Sequence, residues 1–471
     1  MQEKNKSYPI LIIGTFTVLL FGLMIFYICS YAITNERTMM DNSYNAHQQL
    51  LKKQNSRGTI YSNDGQILAE TVTDADGNES REYPFGREFS HIIGFSVNGR
   101  SGIEDLANYY LINSHATLKS KAQAKENEVK FPGDNVYTTL DVKLQETAYE
   151  ALSAREGAII VSDVRTGKIL AMVSKPDFDP STILNDWSKI TDDKNNTQLL
   201  NRATQGLYPP GSTFKIITSL EYYREKGDEY LDYRYNCNGK FTSGDDTIRC
   251  FHGENHGALD FTKSFAKSCN SSFANISLTL DRANFEKTLD SMLFNSELPW
   301  DMNHSISTAV CSPDLKDGDM MQLGIGQGTT TVTPFHINLI TSLIANDGTL
   351  MKPYIIEKVV SEDGKVLEEF APTKYRELMT TDEAYFLQNM MEKVVTEGTA
   401  SRLKGLEYTA AGKTGSAEFK DSTSDSHAWF TGYAPAENPE IAVTIIVENA
   451  GSGGEYAVPI AKRIFDAYFE K

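Results

Sequence analysis

The chain has 471 residues, with 45 Lys and Arg against 63 Asp and Glu, for a formal net charge of -18. That acidity gives no general attraction to nucleic acid, and no long basic run or Cys/His finger array offsets it. The length predicts two or three domains with real cores, and ordinary glycine and proline usage argues against extensive disorder.

Ile10 to Ile33 carries no charge. At a helical rise of 1.5 Å it would span about 36 Å, enough to cross a hydrocarbon core of about 30 Å. Lys4 and Lys6 precede it, which predicts residues 1–9 as a cytoplasmic tail and the bulk of the chain as extracellular. The run is long for a cleaved signal, no small-x-small site follows, and Ile28 stands where a lipoprotein signal at Cys29 wants a small residue. The expectation is a single-pass, uncleaved anchor over residues 10–33 in the cell membrane.

Residues 34–134 predict a small membrane-proximal α+β module. Residues 35–57 are mostly polar and suit a stalk. Arg57 to Ala69 reads as strand, turn, strand around Asn63-Asp64-Gly65, and Leu118 to Glu128 is helix-like. The boundary falls near Pro132-Gly133.

A second domain is expected over residues 135–471. Asp141 can cap a helix through Leu144, Ala148 and Leu152. Two apolar runs, Gly157–Asp163 and Lys168–Ser174, flank Arg165-Thr166-Gly167 as a hairpin. A second hairpin is expected from His427–Ala434 and Ile441–Glu448, followed by a closing helix over Tyr456–Tyr468. Strands at both ends with helices between predict an α/β domain with an antiparallel sheet.

Three elements carry chemistry. In Tyr208-Pro209-Pro210-Gly211-Ser212-Thr213-Phe214-Lys215, Pro and Gly punctuate the chain before a helix. Ser212 would sit at its N-terminus with Lys215 on the same face one turn on. A serine hydroxyl needs a base, and a lysine amine made neutral by burial can serve. Ser268-Cys269-Asn270 is the second element: Ser268 can relay a proton and Asn270 can hold an amide. Lys413-Thr414-Gly415-Ser416 is the third. Lys413 can orient a carboxylate that Thr414 or Ser416 bonds, and Gly415 lets a substrate backbone approach. A P-loop reading of Gly412-Lys413-Thr414 fails because Glu407 stands where the spaced glycine belongs.

The order and context of these elements resemble the penicillin-recognising serine acyltransferases, and more narrowly the class B penicillin-binding proteins. Asn201 to Lys215, His256-Gly257, Gly324-Ile325-Gly326-Gln327-Gly328, Thr333-Pro334 and Ser101-Gly102-Ile103-Glu104 extend the likeness. Ser62-Asn63-Asp64-Gly65 departs from it, since the family pattern has Asp-Arg before Asn-Gly. The resemblance implies a transpeptidase/β-lactamase-like α/β domain, its antiparallel sheet flanked by helices, behind a transmembrane helix and a pedestal-like module. It implies a D,D-transpeptidase acting on peptidoglycan stem peptides ending in D-Ala-D-Ala. Ser212 would be acylated with Lys215 as base, Ser268 and Lys413 would complete the proton and charge network, and Asn270, Thr414, Gly415 and Ser416 would bind substrate. The backbone N–H groups of Ser212 and Ser416 would form the oxyanion hole, and β-lactam antibiotics would acylate Ser212. A serine β-lactamase or a D,D-carboxypeptidase shares this apparatus with water as acceptor, and a non-enzymatic wall scaffold shares the fold.

No cofactor is required for such catalysis. Cys237, Cys250, His256 and Cys269 allow two readings, a Cys237–Cys250 disulfide or a structural zinc bound by all four. Some class B relatives hold zinc at a comparable place, where it would brace the Ser268 loop. No glycosyltransferase domain is evident before residue 135, so the resemblance implies a membrane glycosyltransferase as partner.

Overall fold

The computed structural model describes residues 7–34, 46–418 and 426–470. Lys4 and Lys6, on which the expected orientation rests, lie outside the described residues, as do residues 35–45 of the expected stalk. Helix α1 (Ser7–Thr34) is a continuous apolar rod, exposed from Tyr8 to Tyr31, and long and apolar enough to cross a membrane. Thr15 and Thr17 turn their hydroxyls back onto the carbonyls of Leu11 and Ile13 at 2.8 Å. Those polar groups are thus satisfied inside the helix, as lipid requires.

Helix α2 (Ala46–Gln54) leads to strands β1 (Ile60–Tyr61), β2 (Ile67–Thr73) and β3 (Glu79–Glu82), helix α3 (Leu118–Glu126) and strand β4 (Asn135–Thr138). Helix α4 (Val142–Leu152) follows, its first turn capped by the Asp141 carboxylate, which accepts from Leu144 N at 2.9 Å. Then come β5 (Gly157–Asp163), β6 (Ile169–Lys175), α5 (Ile183–Thr191) and α6 (Lys215–Lys226). Short strands β7 (Arg234–Cys237), β8 (Lys240–Ser243), β9 (Asp246–Arg249) and β10 (Gly257–Asp260) precede helices α7 (Phe261–Ala266), α8 (Asn270–Ser277), α9 (Arg282–Ser291), α10 (Asp317–Gly324) and α11 (Pro334–Ala345). The chain ends with β11 (Ile356–Val360), β12 (Val366–Glu369), α12 (Thr381–Thr396), β13 (Ala411–Glu418), β14 (Ser426–Ala434), β15 (Ile441–Val447) and α13 (Gly453–Phe469).

The central sheet has five antiparallel strands in the order β13-β14-β15-β5-β6. Every residue of β14 and β15 is buried, because helices cover both faces. Helices α4 and α13 pack on one face; α11 packs on the other, and α12 lies against β13. Both expected hairpins form, the closing helix begins three residues earlier than expected, and β13 is the edge strand.

A second sheet has six strands in the order β12-β11-β4-β1-β2-β3. Strand β4 pairs parallel with β1 and antiparallel with β11, so the expected boundary at residues 134/135 falls inside a shared sheet. Behind it, the fully buried Glu104 carboxylate is gripped by Arg57 at 2.6 Å and Arg81 at 2.7 Å. That pairing is what a buried carboxylate needs. A small apolar cluster of Phe95, Phe178, Ile183 and Ile190 joins this region to α5, and Arg87 reaches Asp177 at 2.9 Å.

Candidate active site

Pro209 and Pro210 stiffen the approach to Ser212, and Gly211 then takes φ +52, a backbone state that favours glycine. A Cβ at Gly211 would also sit 3.0 Å from Ala417 on β13. The absence of that carbon lets the nucleophile turn lie against the edge strand. Gly211–Phe214 form one 3₁₀ turn that runs straight into α6. Ser212 is half-buried at the start of this helix and lines a cleft of about 370 Å³. Ser268, Asn270, Thr414, Gly415 and Ser416 line the same cleft, so the three sequence elements converge.

The two lysines stand behind the cleft wall, both fully buried. Lys215 Nζ donates to the Ser268 carbonyl at 2.7 Å and to Asn270 Oδ1 at 2.7 Å, and lies 3.5 Å from Ser268 Oγ. Lys413 Nζ donates to Ser268 Oγ at 2.8 Å and to the Thr414 carbonyl at 3.0 Å. One hydroxyl thus touches both amines. Burial pushes the Lys215 ammonium down to about 8, while the nearby Cys269 and Cys250 thiols pull the other way. Lys413 is driven well below the ordinary lysine value, first by burial and then by the charge of Lys215. Two ammonium groups in one dry site disfavour each other, so one proton leaves at a pH where an ordinary lysine keeps it.

Ser268 can serve both amines because its backbone is held at φ +55, unusual for a residue with a side chain. That turn sends the carbonyl toward Lys215 and the hydroxyl toward Lys413. It is clamped on both sides: Ser268 N bonds Phe265 O at 3.0 Å, and Cys269 N bonds Ser264 O at 3.0 Å. Asn270 is more engaged than its expected amide-holding role requires. Its Oδ1 takes Lys215, and Nδ2 gives one hydrogen to Arg249 O at 3.1 Å. One amide hydrogen is left for a ligand.

On β13, Gly415 lies opposite Trp429 in register, and a Cβ there would sit 3.2 Å from Pro210 O. Ser416 Oγ accepts from Gly453 N, at the start of α13, at 3.3 Å. Sequence reasoning missed several cleft residues, among them Thr399, Arg402 and Glu455. It also missed Glu448, which accepts from Arg202 and from the Tyr208 hydroxyl at 2.7 Å each and steadies the approach to Pro209.

Cys237, Cys250, His256 and Cys269 gather at the back of the Ser268 loop, their ligand atoms all within 4.8 Å of one another. The expected alternative of a disulfide is not formed: these cysteines are free, and Cys237 Sγ stands 3.7 Å from Cys250 Sγ, far beyond a bond of about 2.0 Å. Cys250 and Cys269 are also 3.7 Å apart, and Cys237 Sγ is 3.4 Å from His256 Nδ1. A tetrahedral zinc with Zn–S of about 2.3 Å has S–S edges of about 3.8 Å, so the donor set fits the ion. Backbone N–H groups of Gly239, Ser271 and Ser272 point at the three sulfurs, as they do toward thiolates. Hydrogen bonding from Cys269 holds the Cys250 thiol far down the scale, to about 3, against the opposing effect of burial.

Residues 157–466 match the penicillin binding protein transpeptidase domain, and residues 57–135 match the penicillin binding protein A dimerisation domain. The chain is 28% identical over 428 residues to the peptidoglycan D,D-transpeptidase PbpA of Mycolicibacterium smegmatis, covering 84% of this chain and 86% of that one. It is 27% identical over 448 residues to the peptidoglycan D,D-transpeptidase MrdA of Acinetobacter baumannii, covering 82% and 66%. Among solved structures, the D,D-transpeptidase domain of a peptidoglycan glycosyltransferase from Eggerthella lenta superposes with a TM-score of 0.79 at 28% identity, over 88% of this chain and 99% of that one. The penicillin G acyl-enzyme complex of penicillin-binding protein A from M. tuberculosis superposes with a TM-score of 0.78 at 25% identity, over 88% and 100%.

Proposed function

The chain belongs to the penicillin-binding protein transpeptidases and is a serine-type D,D-transpeptidase that cross-links peptidoglycan and is acylated by penicillins; from that premise we propose the role of each residue in its cleft. Ser212 Oγ attacks the carbonyl of the penultimate D-Ala, and its proton passes to the neutral amine of Lys215. The backbone N–H groups of Ser212 and Ser416 receive the oxyanion. Ser268 carries the proton onward to the departing amine nitrogen, the peptide C–N bond breaks, and D-Ala leaves. An amine of a neighbouring stem peptide then attacks the Ser212 ester, its proton returns through the same groups, and the cross-link forms as Ser212 is freed. Thr414 and Ser416 hold the terminal carboxylate, Lys413 backs them from behind the cleft wall, and Asn270 offers its remaining hydrogen to a substrate amide. The observation that carries this reading is the convergence of both buried amines on Ser268 Oγ, at 2.8 and 3.5 Å, beside the cleft that Ser212 lines.

The test is covalent labelling. Ser212→Ala should abolish the adduct that a fluorescent penicillin adds to the intact mass, with the fold retained. Stoichiometric labelling of the folded variant would remove Ser212 from the reaction.

The four-residue cluster is assigned a structural zinc bound by the sulfurs of Cys237, Cys250 and Cys269 and by Nδ1 of His256. Such an ion, when bound, supplies rigidity to the strained Ser268 turn and no reacting group. Helix α1 is assigned as a single membrane anchor with its N-terminus inside and residues after 35 outside. The domain assignment is a tail over 1–9, the anchor over 10–33, the membrane-proximal module over 34–134 and the transpeptidase domain over 135–471. A membrane glycosyltransferase that makes the glycan strand is the partner such an enzyme needs, met through the anchor and module.

A further inference from the structure

The segment between α12 and β13 supplies the cleft with a residue that none of the three sequence elements contains. Gly398 is pressed so closely on α7 that a Cβ there would lie 2.2 Å from Ala266 O. The next residue, Thr399, donates its backbone N–H to Ala266 O at 3.3 Å, and a Cβ at Gly454 would meet the Thr399 carbonyl at 2.6 Å. Thr399 is therefore held between the helix that precedes Ser268 and the start of α13. Its side chain meets Thr414 hydroxyl to hydroxyl at 2.5 Å, at the wall of the cleft.

A threonine hydroxyl has one hydrogen to give and two lone pairs. If Thr414 gives its hydrogen to Thr399, it shows the cleft only lone pairs and repels a carboxylate. If Thr399 gives and Thr414 accepts, the Thr414 hydrogen is free for the cleft, and donation from behind strengthens it as a donor. Ser416, two residues along the same strand, shows the second arrangement. Its oxygen accepts from Gly453 N, which can only donate, so its own hydrogen is free. Ser416 is thus backed by a donor from outside the strand, and Thr399 stands in the matching place behind Thr414.

We propose that Thr399 is a positioning residue for carboxylate recognition, which donates to Thr414 Oγ1 and thereby turns the Thr414 hydrogen toward the terminal carboxylate of the donor peptide or of a β-lactam. This rests on the reading that Thr414 binds that carboxylate. The effect is largest for anionic ligands, because a carboxylate accepts a stronger, charge-assisted bond from the Thr414 hydrogen than a neutral ester does.

The experiment uses the full-length chain in detergent and compares acylation rates for benzylpenicillin and its methyl ester, which differ only in the carboxylate. Thr399→Val should cut the second-order rate for the acid by about fivefold, the size of one hydrogen bond in such a site. The rate for the ester, a weaker acceptor, should fall by less, so the acid-to-ester ratio falls. Thr399→Ser should restore the ratio. If Thr399→Val does not fold, Thr399→Ala is read in the same ratio. An equal loss for both ligands, an unchanged ratio, or no rescue by serine overturns the proposal. A wild-type chain with no preference for the acid would instead remove the carboxylate role of Thr414, which separates the two failures.

Discussion

Asn270→Asp adds one charge with little change of shape, and it places that charge on Lys215. Asn270 Oδ1 lies 2.7 Å from Lys215 Nζ. At about 4 Å and an effective dielectric near 20, opposite charges attract by about 4 kcal/mol, or about three pKa units. Desolvation of the new carboxylate reduces this, which leaves a rise of about one to three units. Lys215 starts near 8, pushed down from 10.5 by burial. As the base it must be neutral, so acylation climbs as pH rises through its pKa. At pH 7.4 about 20% of the wild-type amine is neutral, against about 0.1% for an ordinary lysine. A one-unit rise cuts the neutral fraction to about 2%, and a larger rise cuts it further. The assay is the second-order rate of labelling by fluorescent penicillin between pH 6 and 10. The wild-type profile should have its midpoint near 8, and the variant should move it upward by at least one unit, with the rates converging at high pH. The lost bond to Arg249 O affects Tm and not the midpoint. A midpoint that stays in place or moves down would show that Lys215 is not the titrating base.

Lys215→Met should abolish acylation and hold or raise stability. An ammonium shifted from 10.5 to about 8 by burial costs the fold up to about 3 kcal/mol below pH 8. Between the folded and unfolded pKa values the unfolded chain binds more protons, so the wild type gains stability as pH rises from about 8 to 10.5. The advantage of the variant in thermal melts should shrink over that window, and a constant or growing advantage would contradict the burial. Protein purified without chelator should carry about one zinc per chain by elemental analysis. Stripping the metal should lower Tm while far-UV circular dichroism stays nearly constant; a metal-free preparation with unchanged Tm would remove the ion from the structure.

Ser212, Lys215 and the Lys413 strand were legible in the sequence because each is a local pattern with a local cause: a punctuated helix start, a one-turn offset, small residues around a cation. Their convergence was legible only through resemblance, since no local rule brings residue 413 to residue 268. For the cysteines, spacing allowed a disulfide or a metal equally, and the deciding quantity was the 3.7 Å between sulfurs. Thr399 left no trace, because Glu397-Gly398-Thr399 reads as an ordinary helix exit. The left-handed turn at Ser268 was hidden for the opposite reason, as serine seldom adopts it and the surrounding bonds impose it. Strand β4 read as the start of a new unit because its partner β11 comes from far along the chain.

The ladder formed by β1, β4 and β11 has a mechanical consequence. A truncation beginning at residue 135 would leave β4 with one bare flank, so soluble versions should begin before Arg57. Force applied from the N-terminal side through β1 would be borne as shear by β4, a strand that is stitched on its far side to the hairpin of β11 and β12. The N-terminal module thus shares one hydrogen-bonded sheet with residues 356–360 and 366–369, and a pull on either is passed to the other through backbone bonds.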